Sequence, residues 1–225
     1  MPASNATRTC QPRTAVAAAR DPAKTRARIL KVAISEFSSK GYSGARTEEI
    51  ARRARANIRM LYHYFGGKDG LYVSVLENVP SALRHEELQL DFDDSKPLDG
   101  LVQIFEFVDG HFRTRPELRN LLAFENLNGA QHLKRSSTVC DMASPVIAPI
   151  DRLLRRGEKV NEVRQGVDAL HLYVAMVSLA YYGLSHAPTL SRIFDIDVSA
   201  PEWQRIQHAQ TVQMLTAYLQ NASAS

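Results

Sequence analysis

The chain has 225 residues, of which 44% are hydrophobic and 23% are charged, and its formal net charge is +4. These values are typical of a globular protein and exclude a wholly disordered chain and a collagen-like repeat. Two cysteines, Cys10 and Cys140, are too few for a small disulfide-built scaffold, so we expect both to be free thiols.

The charge is unevenly distributed along the chain. Residues 1–70 contain 14 Lys and Arg against 5 Asp and Glu, whereas residues 71–225 contain 14 against 19. A basic surface attracts a polyanion through Coulomb attraction and counterion release. The pattern therefore favours an anionic partner at one end of the molecule, although a basic segment is also compatible with a merely solvated surface.

The first twenty residues lack apolar periodicity, which predicts a disordered basic arm without a secretory signal. Within it, Arg8, Arg13 and Arg20 are candidates for contact with phosphate. The most apolar stretch, residues 169–184, is shorter than the roughly 20 residues that a membrane span needs. We expect a buried helix there, in a cytoplasmic protein with no membrane partner.

The first predicted helix begins at Asp21 and Pro22, which are typical of an N-cap and of the first helical position. Apolar residues from Ile29 to Phe37 then recur at helical spacing. Gly41 is expected to end this helix.

Three further helices are predicted in the following segment. The second starts with Thr47 as its cap and ends near Ala54, and two carboxylates in its first turn suit the helix dipole. Asn57 is expected to cap a third helix over residues 58–64, which a glycine pair closes. A longer fourth helix begins at Lys68.

The remainder of the chain is also predicted to be helical, with prolines marking helix starts or kinks. No convincing alternating strand, internal repeat or glycine-rich phosphate loop is present in the sequence. We predict helices over residues 98–112, 117–126, about 130–156, 167–186 and about 202–221.

A helix followed by a short helix, a tight turn and another short helix is the order of a helix-turn-helix motif. Residues 25–76 resemble the DNA-binding head of the tetracycline-repressor (TetR) family of bacterial transcriptional regulators. The resemblance is carried, in order, by Ile29-Leu30, Ala33, Phe37, Gly41-Tyr42, Thr47, Ile50-Ala51, Ala54, Leu61-Tyr62, Phe65, Lys68 and Leu71.

The resemblance implies an all-α fold, with an N-terminal helix-turn-helix head on a larger helical body. The DNA-binding domain would cover residues 21–70, with the helix-turn-helix at about 46–65. An effector-binding and dimerisation domain would cover residues 71–225.

A recognition helix presents its N-terminal side chains to base edges in the major groove. Ile58, Arg59 and Met60 occupy that place in the third helix. Arg59 is the candidate for a bidentate contact with guanine, and Met60 for contact with a thymine methyl group. A phosphate contact or a solvated side chain is the alternative for Arg59, and plain packing is the alternative for Met60.

The resemblance implies contacts with the DNA backbone by Thr47, Tyr62 and Lys68. Lys68 would lie at the positive end of the fourth helix, where phosphate is favoured. Three further candidates for DNA contact are Arg46, Asn57 and His63.

Arg55 departs from the family pattern, which usually has glycine at this position of the turn. If the backbone there requires a positive φ, an arginine costs about 1 kcal/mol. The alternative is a rebuilt turn, which would re-aim Arg59.

The resemblance also implies a homodimer through the helices at about 167–186 and 202–221, which would form a four-helix bundle with those of the partner. The first of these helices is apolar nearly all round, which is more than one core face requires. A two-fold dimer would read a pseudo-palindromic operator in double-stranded DNA. Coverage of this apolar surface within the chain is the alternative.

A small-molecule effector in the body is a further implication of the resemblance, and it acts through its different affinities for two states of the dimer. Aromatic side chains would suit an apolar or aromatic effector, whereas the acidic body favours a cationic one. The large or polar-tipped residues proposed to line its pocket, each with plain core as the alternative, are Phe105, Phe112, Phe124, Asn126, His132, Met142, Tyr173, Met176 and Tyr181.

We therefore expect a sequence-specific DNA-binding regulator, a homodimeric repressor that an unknown effector releases from its operator. A DNA-binding regulator that responds to a protein partner instead, and an all-α enzyme with a basic head, remain as alternatives. We expect no enzyme and no cofactor, since no catalytic motif is recognisable. No compact metal motif is formed by His111, His132, His171, His186 or Cys140.

Overall fold

The computed structural model describes residues 21–93, 95–136, 138 and 145–220. Within these ranges the chain is all-α as predicted, and its β-structure is confined to one antiparallel bridge between Val163 and Gln220. The predicted arm, Cys10, Cys140 and Met142 lie outside the described residues.

The helices are α1 (Pro22–Gly44), α2 (Thr47–Arg53), α3 (Ile58–Phe65), α4 (Lys68–Glu87), α5 (Pro97–Thr114), α6 (Pro116–Leu127), α7 (Ile147–Lys159), α8 (Ala169–Ser185), α9 (Ala187–Phe194) and α10 (Pro201–Leu219), with a 3₁₀ turn at Leu133–Arg135. No helix in the described part of the chain has the length and apolar character that crossing a membrane requires.

The first four helices surround one hydrophobic core. Ile29, Phe37, Leu61 and Leu71 are fully buried in it. Burial of such side chains stabilises the folded state by about 1.5–3 kcal/mol each, which is the main force that holds these short helices together. We call this unit, α1 to α4, the head.

Local signals place the ends of the head helices. The Asp21 carboxylate caps α1 by accepting from the backbone N–H of Ala23 at 3.0 Å, as predicted. The backbone leaves the helical conformation at Gly41, with φ 67°, before a last turn to Gly44. Thr47 was expected to cap α2, but it is the first helical residue, and Arg46 occupies the cap position without a side-chain hydrogen bond.

The prediction of one helix over residues 130–156 is wrong. Gly129 and Ala130 both have positive φ angles, 61° and 56°, which a right-handed helix does not accommodate. The chain then forms the 3₁₀ turn, and α7 begins only at Ile147. Helix α9 was not predicted as a separate element, and Pro188 lies in its first turn.

A second core lies in the body, around α5. Helices α7, α8 and α10 all pack against α5, and its side chains Leu101, Ile104, Phe105 and Val108 are buried there. Because α4 contributes buried residues to both cores, it connects the head to the body.

Helix α6 also joins the two units, since it packs against α1 and α4 of the head and α5 and α8 of the body. A Cβ atom at Gly41 would lie 3.0 Å from the ring of Phe124. Glycine at this position therefore serves both the positive φ and the close approach of α6.

Candidate nucleic-acid interface and effector pocket

The turn between α2 and α3 has the left-handed backbone that the family's glycine would suit. Arg55 occupies it with φ 49°. The N–H of Ala56 donates to the carbonyl of Ala51 at 3.0 Å, and Arg28 Nε donates to the carbonyl of Ala54 at 2.5 Å. The turn therefore has a positive φ at Arg55, and it is not rebuilt to avoid this conformation.

Helix α3 has one buried face and one outward face. The Asn57 side chain caps it by accepting from the N–H of Arg59 at 2.9 Å, and Leu61 is fully buried. Arg59, Tyr62 and His63 are exposed and share one face, because residues three and four apart are neighbours on a helix. We call these three residues the recognition face.

Three other residues predicted to contact DNA lie next to the recognition face in sequence, and these are Asn57, Ile58 and Met60. Ile58 and Met60 are partly buried, so part of each side chain packs against the head. Asn57 is exposed, although its side-chain oxygen is already used as the cap. Of the three predicted base readers, Arg59 is therefore the one that is most available.

The residues predicted to contact phosphate differ in their surroundings. Arg46 is exposed, whereas Thr47 is buried and its hydroxyl donates to Glu48 at 3.4 Å. Tyr62 is 49% exposed. Lys68 begins α4, where its Nζ lies 4.8 Å from the centre of the Tyr42 ring, a cation–π contact that holds the ammonium group at the helix start.

Some basic side chains of the head form ion pairs with carboxylates, and others form none in the part of the chain that the structure describes. Glu36 pairs with Lys40 at 2.6 Å and with Arg53 at 3.0 Å. Glu49 pairs with Arg52 at 2.6 Å, and the hydrogen bond from Arg52 lowers the pKa of this carboxyl. Among the described residues no ion pair is formed by three exposed arginines of this region, which are Arg46, Arg55 and Arg59.

A cavity of about 330 Å³ lies between α4, α5, α6 and α8. It is near the lower end of the range, about 300–1,000 Å³, that ligand pockets occupy. Its lining is formed by Leu76, Val79, Pro80, Leu83, Arg84, Phe112, Leu118, Leu121, Leu122, Glu125, Leu133, Tyr173 and Val177.

Two of the nine predicted pocket residues, Phe112 and Tyr173, line this cavity. Tyr181 stands behind them, with its ring against Phe112 and its hydroxyl donating to the carbonyl of Arg119 at 3.3 Å. Among the other described candidates, Phe105 and Met176 are fully buried in the body core, Phe124 packs against Gly41, Asn126 is exposed and His132 is buried.

Arg84, one of the charged residues in the wall of the cavity, is paired with the buried carboxylate of Glu87. One guanidinium nitrogen of Arg84 lies 2.7 Å from each oxygen of Glu87 and donates to the Tyr173 hydroxyl at 3.2 Å. Burial opposes the charge on Arg84, but its hydrogen bonds with Glu87 and Tyr173 outweigh this, so the pKa of the guanidinium is raised. Nothing in the sequence pattern of α4 singled out Arg84 except a charge at i,i+3 from Glu87.

Glu125 is the second charged residue of the cavity wall, and it is 1% exposed. One of its oxygens lies 2.8 Å from His132 Nδ1. The other accepts from the backbone N–H groups of His132 at 3.2 Å and Leu133 at 3.3 Å. Both carboxylate oxygens are thus engaged by the 3₁₀ turn that follows α6.

The same turn contacts the head. The His132 ring lies 4.3 Å from that of Tyr42 and 4.8 Å from that of Tyr72. Arg135 donates to Asp69 at 2.8 Å, and the Tyr42 hydroxyl donates to the same carboxylate, which lowers the pKa of Asp69. Side chains in contact therefore run from the cavity wall to Asp69, the residue next to Lys68.

Helices α8 and α10 contribute an exposed surface with no charged residue of their own, although Arg164, which precedes α8, lies 4.8 Å over the ring of Tyr218. No Asp, Glu, Lys or Arg occurs between Ala169 and Ser185, and none follows Arg205 in α10. We call this surface the α8–α10 face; its exposed large apolar residues are Leu170, Val174, Leu179, Tyr182, Ile206, Met214 and Tyr218.

Two family models match the chain. One is described as "Tetracyclin repressor-like, C-terminal domain" and matches residues 97–215. The other is described as "Bacterial regulatory proteins, tetR family" and matches residues 29–75.

Curated relatives and a solved structure agree with these matches. The chain is 31% identical over 176 residues to the HTH-type transcriptional repressor NicS of Pseudomonas putida, covering 78% of this chain and 83% of that protein. It is 32% identical over 177 residues to the HTH-type transcriptional repressor SCO4008 of Streptomyces coelicolor, covering 78% and 86%. The crystal structure of the putative transcriptional regulator SCO4942 from Streptomyces coelicolor matches with a TM-score of 0.64 at 25% identity, covering 88% of this chain and 99% of that one.

Proposed function

The chain belongs to the TetR family of transcriptional regulators, and from that premise we propose that it is a homodimeric repressor released from its operator by a small molecule. The observation that carries this proposal is the recognition face, where Arg59 is exposed beside the Asn57 cap and forms no ion pair within the described residues. Such a guanidinium is available for guanine in the major groove.

Backbone contacts would orient α3 in the groove. The Tyr62 hydroxyl and the Lys68 ammonium are suited to phosphate because Tyr62 is exposed on α3, and Lys68 is partly exposed at the first residue of α4. Arg46 adds a cation at the start of α2. Contacts of this kind supply affinity and fix the register, while Arg59 supplies discrimination.

The α8–α10 face supports the dimer. Large exposed apolar residues at four-residue spacing, such as Leu170 and Val174 on α8 and Met214 and Tyr218 on α10, form stripes without a charged side chain. Leu179, Met214 and Tyr218 line one groove between the two helices, and an exposed apolar surface of this kind is typical of an obligate interface rather than of a solvated surface. A two-fold axis there would present two α3 helices to a pseudo-palindrome.

The cavity supports regulation by an effector. Glu125 and Leu133 line the cavity, and the Glu125 carboxylate accepts hydrogen bonds from the backbone of His132 and Leu133, at the start of the turn that contacts the head. An occupant that displaces this turn would alter the contacts of Arg135 with Asp69 and of His132 with Tyr42. The occupant shifts the equilibrium only by the difference between its affinities for the two head arrangements.

Selection of operator sequences from randomised duplex DNA tests the function. The full chain is used at about 150 mM salt, where non-specific phosphate binding is weak. We expect enrichment of one pseudo-palindrome whose half-sites lie about one helical turn, or a small multiple of it, apart.

The Arg59→Ala protein is the matched control, and it should enrich the same sequence poorly. A wild-type protein that enriches no sequence while remaining folded and dimeric would contradict the proposed function.

A further inference from the structure

If an effector binds in the cavity, as the proposed function requires, the chemistry of the cavity wall indicates which kind of molecule binds there. We propose that the ligand is an uncharged, mainly aliphatic molecule with one hydrogen-bond acceptor, and that this acceptor meets the hydroxyl group of Tyr173. The cavity has an apolar wall, two charged residues that already have partners within the protein, and a tyrosine hydroxyl.

The wall is largely aliphatic. Helix α4 contributes Leu76, Val79 and Leu83, and α6 contributes Leu118 and Leu121, whereas the aromatic side chains at the cavity are those of Phe112 and Tyr173. Such a wall rewards C–H surface through the hydrophobic effect and offers few aromatic faces for stacking. The sequence predicts an apolar or aromatic effector from the body's aromatic residues, but of those candidates in the described part of the chain only Phe112 and Tyr173 line the cavity.

The cationic group of the wall is already paired. Arg84 lies 2.7 Å from both oxygens of Glu87, and Glu87 is 3% exposed. An anionic ligand that bound Arg84 would displace a carboxylate that is buried and cannot regain water, and leaving a buried charge unpaired is strongly unfavourable.

The anionic group of the wall is equally committed. Glu125 accepts three hydrogen bonds, from the Nδ1 and the backbone N–H of His132 and from the N–H of Leu133. A cationic ligand would have to compete with these donors in a buried position. The net negative charge of the body therefore does not favour a cation in the cavity, because the carboxylate of the wall already has partners. We expect the ligand to be neutral.

Tyr173 supplies the specific polar contact. Its oxygen accepts from Arg84 at 3.2 Å, and no acceptor for its own proton is found among the described residues. Donation from the guanidinium polarises the hydroxyl and strengthens it as a donor. A ketone, ester or ether oxygen meets this requirement without a charge.

Matched eight-carbon probes test the charge preference. Binding of 2-octanone, octanoate and octylammonium to the full-length protein without DNA is measured by titration calorimetry. We expect 2-octanone to bind at least about tenfold more tightly than either charged probe, since octanoate would disturb the Arg84–Glu87 pair and octylammonium would compete with the donors to Glu125. Equal or tighter binding of a charged probe, or no binding of 2-octanone, would overturn the proposal.

Tyr173→Phe tests the hydrogen bond while keeping the ring. This variant should bind 2-octanone about 3–10-fold more weakly and toluene, which lacks an acceptor, with unchanged affinity. Tyr64→Phe, in α3 of the head and outside the cavity lining, is the control and should change neither affinity. An unchanged 2-octanone affinity in Tyr173→Phe would refute the role of this hydroxyl.

A cavity-filling variant and the operator separate this proposal from the function on which it rests. Val177→Phe should abolish binding of 2-octanone and toluene if the probes occupy the cavity, and retained binding would overturn the assignment of the site. Failure to select an operator would contradict the proposed function. The order of the probe affinities tests the ligand class without DNA, so the two proposals can fail separately.

Discussion

The recognition face of α3 and the α8–α10 face are both exposed in the single chain, yet they are chemically opposite. The first carries Arg59, Tyr62 and His63, and its arginine forms no ion pair within the described residues. The second is uncharged and rich in large apolar side chains. Exposure alone thus does not identify a partner; unpaired cations suit a hydrated polyanion, whereas an uncharged apolar stripe suits a surface that is dehydrated on contact.

The largest effect is expected from a charge placed on the α8–α10 face. Val174 is 53% exposed in the single chain, so Val174→Arg should fold normally but bury an unpaired cation in the dimer. We expect the dimer dissociation constant to rise about 100-fold or more, measured by sedimentation equilibrium, and operator binding to weaken with it.

Leu127→Arg is the matched control for Val174→Arg, since Leu127 is an exposed leucine at the last residue of α6 and is not part of the α8–α10 face. It should leave the dimer intact. A Val174→Arg protein that dimerises as tightly as the wild type would show that the α8–α10 face is not the dimer interface.

The recognition face should show the next largest effect. Arg59→Ala should weaken operator binding about 10–100-fold, measured by fluorescence anisotropy, with a smaller loss on scrambled DNA because non-specific binding depends on phosphate. Arg155→Ala, an exposed arginine of α7 paired with Asp151, should have no effect. An equal loss on operator and scrambled DNA would reassign Arg59 to phosphate contact.

Tyr62 and Lys68 separate hydrogen bonding from charge at the same interface. Tyr62→Phe keeps the ring and should weaken operator binding about 3–10-fold without changing its salt dependence. Lys68→Gln should reduce the slope of log affinity against log salt by about one per head. Salt titrations of both proteins make the comparison, and identical slopes would argue against a Lys68–phosphate contact.

The smallest effect concerns the turn that holds the recognition face. Arg55 has φ 49°, so Arg55→Gly should relieve strain and raise the free energy of unfolding by about 1 kcal/mol, measured by urea denaturation. Lys31→Gly, at an exposed site within α1, should lower it by about the same amount. Destabilisation by Arg55→Gly would show that the arginine side chain makes a compensating contact.

The head was predictable because its signals are local. Asp21 and Asn57 cap helices from adjacent positions, and Gly66 closes α3 with φ 73°. At Arg55 the sequence left two alternatives, a positive φ or a rebuilt turn, and the structure has the positive φ of 49°. Thr47 is the exception, since the chain enters α2 one residue earlier than the side chain suggested.

The body was less predictable because its features depend on distant residues. The helix break at Ala130 uses a positive φ at a non-glycine residue, which no local pattern signals. The cavity combines ordinary leucines and valines of α4 and α6 with Tyr173 of α8. The buried pair of Glu125 and His132 is separated by a turn, so helical spacing did not bring these two residues together.

The stoichiometry of the protein on its selected operator tests the central claim most directly, because it requires both faces at once. Native mass spectrometry of the complex, with a duplex containing one half-site for comparison, measures it. We expect two protomers on each pseudo-palindrome, and we expect the single half-site to bind at least about 100-fold more weakly than the pseudo-palindrome. One protomer per operator, with equal affinity for a half-site, would contradict the pairing of two α3 helices through the α8–α10 face.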